Sequence, residues 1–172
     1  MTAARQPLSP PRKLEKSDSR ADFSSGAAEL DDWFQRYAWQ NQRANNAVTY
    51  VLAYEGRILG YYAIASGGVG RCDVPAEFSK HRPDPIPIII LGRLAVDRSV
   101  QSRGLGRVLL RDAVERAVNV SESLGSAALV IHARDDAARR FYRRNIDLLE
   151  SPIDPLHLIL PITAAAAILR RS

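Results

Sequence analysis

The stretch VDRSVQSRGLGRVLL, residues 96–110, places Gly104 and Gly106 among Arg98, Arg103 and Arg107, where an apolar run gives way to a helical pattern. Glycines let a backbone approach something bulky, and the first turn of a helix carries N–H groups without intrahelical acceptors. Such a turn attracts anions. Residue types and spacing describe a phosphate cradle; the competing reading is a helix entry whose glycines serve tight packing alone.

Few other groups are reactive. His81, His132 and His157 stand far apart in sequence. His132 and His157 fall in apolar strand patterns, where structural histidines are commoner than catalytic ones, and no metal site is expected. Cys72 is the only cysteine, which excludes an internal disulfide. Tyr142 sits in the short charged segment DDAARRFYRR, 135–144, surrounded by Arg139, Arg140, Arg143 and Arg144. A net charge of +5 and a pI near 9.7 favour anionic partners such as nucleotides or nucleic acid. A chain of 172 residues with 46% hydrophobic and 25% charged residues has the balance of one globular domain. With no signal-peptide profile and no apolar run near the ~18 residues of a membrane span, a cytoplasmic protein is expected.

The elements that must position these groups follow from periodicity. Residues 1–13, with Pro7, Pro10 and Pro11, read as a flexible lead-in, with edge pairing near Leu14. Leu30, Trp33, Phe34, Tyr37 and Ala38 recur at helical spacing over 27–43, in one helix or two. AVTYVLAY (47–54) and RILGYYAIASGGV (57–69) flank Glu55-Gly56 and predict a hairpin. A proline-rich loop spans 70–87. IIILGRLAV (88–96) is a strand covered on both faces, with Gly92 marking a bulge. Leu105 to Leu124 carries the stripe of one long helix, 127–133 is a second buried strand, 135–144 a short helix and 154–162 a last strand. The domain runs from 14 to 163, followed by a tail over 164–172. The alternation after residue 88 predicts parallel pairing of the two buried strands.

Gln101, Gly104 and Gly106 fit the Gln/Arg-x-x-Gly-x-Gly/Ala signature of the GNAT superfamily of N-acetyltransferases, which this chain resembles. LGRLAVDRSVQSRGLGRVLL followed after one strand by HARDDAARRFY is similar to its acetyl-CoA core in order and spacing. The resemblance implies an α/β (α+β) GNAT fold, a mixed central sheet with helices on both faces and a V-shaped cleft between two parallel strands. It further implies acetyl-CoA as co-substrate. N–H groups of Arg103, Gly104, Leu105, Gly106 and Arg107 would hold the pyrophosphate, a side chain at either glycine would block that approach, and backbone groups of Leu94, Ala95 and Val96 would pair with pantetheine. Tyr142 would protonate, or hydrogen-bond, the leaving sulfur. No general base stands out, and an α-amine titrating near pH 8 needs less help than a lysine near 10.4.

SGAAELDDWFQRYAWQNQ, PDPIPIIILGRLAVD and SPIDPLHLILP resemble one branch, the GNAT toxins of toxin–antitoxin operons that acetylate the amino acid of charged tRNA. On that resemblance Arg93, Arg139, Arg140, Arg143 and Arg144, with Arg36, Arg43, Lys80 and Arg82, would hold tRNA phosphates, the alternative for at least half of them being a solvated helix face. Trp33 and Trp39 would stack on a base or pack in the core. The partners implied are aminoacyl-tRNA and a ribbon-helix-helix antitoxin encoded beside the gene, with homodimer formation a further expectation. RRNIDLLE departs from the Gly-Phe that usually follows the tyrosine, and Ser25 stands where this branch often has cysteine. The alternatives are a GNAT acting on a protein N-terminus, a lysine or a small amine, and a non-catalytic binding module.

Overall fold

The computed structural model describes residues 8–171; the start of the lead-in and the last residue of the tail lie outside the described residues. The strands are β1 (Arg12–Lys13), β2 (Val48–Tyr54), β3 (Arg57–Val69), β4 (Ile86–Val96), β5 (Ala128–His132), β6 (Leu149–Glu150) and β7 (His157–Pro161). The helices are α1 (Ala28–Arg36), α2 (Ala38–Arg43), α3 (Ala76–Ser79), α4 (Leu105–Ser123), α5 (Asp136–Asn145) and α6 (Ile162–Arg170). The strands form one sheet in the order β1-β2-β3-β4-β5-β7-β6. Among the described residues only β4 and β5 pair in parallel.

The hairpin turns on Glu55 and Gly56, whose φ values of 50° and 77° are both positive, the backbone a two-residue loop needs to match strand twist. Strand alternation then sends neighbouring tyrosines to opposite layers. Tyr61 stacks on Phe34 of α1 at 4.5 Å, and its hydroxyl donates to the Leu30 carbonyl at 2.7 Å. Tyr62 faces α4, where its hydroxyl donates to Asp112 and accepts from Arg116 Nε at 3.0 Å. Leu109, Leu110, Ala113, Val114 and Ala117 bury the α4 stripe against that layer.

Four elements escape the sequence reading. The expected loop over 70–87 contains α3 and a 3-10 turn at Arg71–Asp73, both too short for a periodic signal. β6 has two residues and is defined only by its partner β7. Residues 164–170 of the expected tail belong to α6, which lacks a side-chain N-cap and is held by packing Ala165, Ile168 and Leu169 into the cluster beneath α4. The last strand shortens to 157–161 because the chain turns into this helix.

α4 lies so close to β3 that a Cβ on Gly60 would come within 2.9 Å of Leu109 Cδ1 and 3.0 Å of the Ala95 carbonyl. Gly60→Ala is expected to lower unfolding free energy by about 1–3 kcal/mol, the usual cost of overpacking. Urea denaturation checks this; an unchanged midpoint and slope would remove the close approach.

Candidate active site

The site begins with a break in pairing. β4 and β5 are bonded through Ile89↔Leu129, Ile90↔Val130 and Leu91↔Ile131, and there the pairing stops. On the other edge of β4 the register passes from Ala63↔Arg93 to Ile64↔Leu91, leaving Gly92 without a partner. This is the bulge expected from sequence, and a bulge bends its strand. Beyond it β4 stays with β3, so its edge facing β5 is open. Asp97 N donates to Leu59 O at 2.8 Å beside the pair Val96↔Gly60. In an antiparallel ladder that makes Val96 and Leu94 the residues whose backbone groups project outward and Ala95 the one bonded to β3. The open edge thus offers the backbone of Leu94 and the N–H of Val96 to a ligand, the Val96 carbonyl already accepting from Gln101, while the backbone of Ala95, grouped with them from sequence, is committed to the sheet.

The glycine stretch borders this opening. Gly104 is the N-cap of α4 with φ 81° and no side-chain cap bond. Val108 N reaches Gly104 O at 3.3 Å, whereas the amides of Leu105, Gly106 and Arg107 have no acceptor among the described residues. The dipole end of a 19-residue helix therefore meets a cavity of 530 Å³ lined by Val96, Gln101, Gly106, Phe141 and Asn145. The two glycines do different jobs. A Cβ at Gly104 meets nothing within 4 Å, so glycine is required there by the left-handed backbone. A Cβ at Gly106 would lie 3.1 Å from Phe141 Cζ, so this glycine lets α5 approach α4. The protein thus has its own reasons for both glycines, a left-handed backbone at Gly104 and room for Phe141 at Gly106. Arg103 and Arg107 are exposed, and Arg107 lines the cavity.

A smaller recess of 250 Å³ continues from it past Val96 and Gln101, which line both, and is walled by Leu30, Arg93, His132, Arg134 and Tyr142. Gln101 is a strap, its amide donating to Ser25 O at 2.7 Å and Val96 O at 3.0 Å. Asp97 is buried and accepts from Ser24 N at 3.0 Å, Ser99 N at 3.0 Å and Arg57 at 3.1 Å. Burial pushes its carboxyl up, but hydrogen bonds from Ser99 and Ser24 hold it below the usual range. Together these bonds tie the segment before α1 to the end of β4.

Tyr142 is the one buried residue of α5, a helix started by Asp135, which accepts from Ala138 N at 2.8 Å. Burial raises its pKa, so the phenol stays protonated. Its hydroxyl has no hydrogen-bond partner among the described residues, and its side chain lines the recess. Such a group can donate to a ligand.

The arginines divide. The half-buried Arg93 lies over Trp33 at 4.2 Å and faces the recess; burial lowers its pKa, and no carboxylate pairs with it among the described residues. Arg139 and Arg143 both reach Glu150, and Arg36 pairs with Asp32 at 2.8 Å. Arg140 and Arg144 are exposed without an acidic partner among the described residues. Arg36, Arg43, Lys80 and Arg82 line neither recess. Trp33 and Trp39 pack against the cluster under α1 and α2. Sequence reasoning passed over His132, Arg134 and Phe141 as lining groups and Asp97 as an anchor; of these only Asp97, next to the glycine stretch, carried a local signal.

A parallel strand pair that parts at a bulge, beside an uncapped helix start and a buried tyrosine, defines an acyltransferase architecture. The chain matches the Acetyltransferase (GNAT) family over residues 12–146 and belongs to that family. Over 161 residues it is 44% identical to the tRNA-acetylating toxin of Mycobacterium tuberculosis (strain ATCC 25618 / H37Rv), a match covering 94% of this chain and 96% of the relative. The fold is also that of AtaTR bound with AcCoA, with TM-score 0.79 and 25% identity over 92% of this chain and 96% of that one. It matches a mutant of the AtaT toxin bound to the C-terminus of the antitoxin AtaR and acetyl-CoA with TM-score 0.78 and 24% identity over 93% and 97% of the two chains.

Gly106→Glu is expected to weaken acetyl-CoA binding by at least about 10-fold, because it puts a carboxylate at the anion-binding turn and displaces Phe141. Calorimetric titration checks this alongside thermal melting. Near-normal affinity in a folded variant would remove the assigned cavity.

Proposed function

We propose that the protein is the toxin of a toxin–antitoxin pair and transfers the acetyl group of acetyl-CoA to the α-amino group of aminoacyl-tRNA, which stops translation. The observation that carries this reading is the open Leu94–Val96 edge, which runs from an uncapped helix start to a buried phenol with no partner among the described residues. The 44% identity to a tRNA-acetylating toxin supports the acceptor, and the likeness to AtaTR bound with AcCoA supports the donor.

The residues present fit that donor. Its pyrophosphate is read onto the amides of Leu105, Gly106 and Arg107, and its pantetheine onto the outward backbone groups of Leu94 and the N–H of Val96, as an added strand would sit. Acetyl-CoA supplies a thioester whose carbonyl accepts an amine. Tyr142 holds a proton next to the departing sulfur. By reference values a phenol near pKa 10 is already a weaker acid than a thiol near 8.5, and burial weakens the Tyr142 phenol further, so transfer depends on placement in a recess poor in water. Arg93 faces the acceptor side with its charge uncompensated by carboxylate, which suits a tRNA phosphate or the ester end of the acceptor. Arg140 and Arg144 are free to extend that contact. Arg139 and Arg143 join it only by leaving Glu150.

The same cationic rim suits an acidic or amphipathic antitoxin tail. We assign that tail to a ribbon-helix-helix protein encoded beside the gene, and its co-expression should restore growth; unchanged toxicity would count against it.

Radiolabelled acetyl transfer into total charged tRNA is expected to label an aminoacyl ester. Label found only in protein would overturn the acceptor assignment. Tyr142→Phe should bind acetyl-CoA almost normally and lose single-turnover transfer by about 10²-fold or more. A folded variant keeping over about a third of the rate would exclude the acid role, since that deficit is under about 1 kcal/mol.

A further inference from the structure

The recess beside Tyr142 contains a second titratable side chain. We infer that His132 takes the proton from the acceptor amine, with His157 and Asp154 positioning its ring. The inference rests on the acetyl-transfer reading of the same cleft.

Strand alternation places the group. Leu129 and Ile131 of β5 enter the cluster under α4, so Val130 and His132 point to the opposite layer, where Val130 packs. On β4 the bulge returns Arg93 and Ala95 to the α1 layer, with Ala95 in that cluster and Arg93 over Trp33. His132 and Arg93 therefore meet the recess from two diverging strands on one face of the sheet, and Tyr142 belongs to the cluster on the other. A donor threaded between the strands would have its sulfur approached from one side and its carbonyl attacked from the other.

The ring of His132 is held without being consumed. It stacks on His157, its cross-strand partner, with centroids 4.2 Å apart and planes 19° from parallel. His157 Nε2 lies 3.5 Å from Asp154 Oδ2. Neither nitrogen of His132 has a hydrogen-bond partner among the described residues, so a lone pair is available. Burial first, and His157 second, push the His132 pKa down, while Asp154 pulls it up. The other charged groups around it are Arg93 from β4 and Arg134 with Asp135 from the β5–α5 link, with the neutral Tyr142 phenol from α5; Arg134 is tied to Asp135 and to Glu29 of α1. The imidazole is thus neutral at physiological pH and able to accept.

The proton balance closes. As the amine nitrogen bonds to the acetyl carbon and the carbon–sulfur bond breaks, the sulfur takes the Tyr142 proton and the nitrogen gives one to His132. The imidazolium and phenolate then return to neutral by exchange with solvent. No further reactant is needed.

The test measures single-turnover acetyl transfer between about pH 5 and 8 for the wild type, His132→Asn and His157→Phe. Charged tRNA and a free aminoacyl ester are used in parallel. His132→Asn should keep its acetyl-CoA affinity and lose transfer by about 10²-fold or more. His157→Phe keeps an aromatic stack but removes the group that, after burial, pushes the His132 pKa down, so the acid limb of the rate should move to higher pH; the acceptor is the same, so the displacement belongs to the protein. A folded His132→Asn variant within about threefold of wild type with an unchanged profile would overturn the inference. If that variant fails to fold, an unmoved limb in His157→Phe overturns it. Wild-type transfer to the ester but not to charged tRNA would count against the tRNA reading alone, and the ester would still rank the variants.

Discussion

The structure depends on the point where β4 parts from β5. Two parallel strands side by side satisfy each other's backbone, and a continued ladder past Leu91 and Ile131 would leave no room between them. The unpartnered Gly92 ends that ladder on one edge of β4 while β3 holds the other. Backbone N–H and C=O groups exposed in a cleft must find partners, and here a ligand backbone can supply them. The opening is a missing strand position within a sheet.

Around it the chain invests in holding the opening apart. Asp97 and Gln101 bind the segment before α1 to the loop after β4, which keeps the start of α4 aimed across the gap. α4 is braced from behind by α6 and from the sheet side by the close contact at Gly60. An uncapped helix start would otherwise be a small liability, since its amides lack acceptors. Under the proposed function, rigid bracing would make it a pre-organised anion site, where little ordering cost remains to be met on binding.

Charge is sorted by the same geometry. Tyr142 is buried at the edge of the recess and stays protonated, burial and His157 push the His132 pKa down, and Arg93 lies on an indole face with no carboxylate partner among the described residues. The arginines farther along α5 lean on Glu150. The inner groups are distinguished by environment rather than by residue type, which lets one small recess hold a proton donor, a proton acceptor and a cation together.

The sequence by itself determined most of the larger elements and the glycine-marked start of α4. The two apolar runs, the hairpin around Glu55-Gly56, the α4 stripe and the Gln101-Gly104-Gly106 spacing are local patterns, and local patterns report which face of an element is buried. Gly92 was legible as a bulge for the same reason. Only the tertiary structure decided what lies across a strand boundary. That His132 meets His157, that Arg139 and Arg143 turn to Glu150, that Gly106 clears Phe141 and that Ala95 gives its backbone to β3 are facts of register between segments distant in the chain. A one-residue slip would reverse the facing of each strand residue. α6 was missed on the same ground, because a nine-residue alanine-rich segment has little helical stability until α4 offers a surface to pack on.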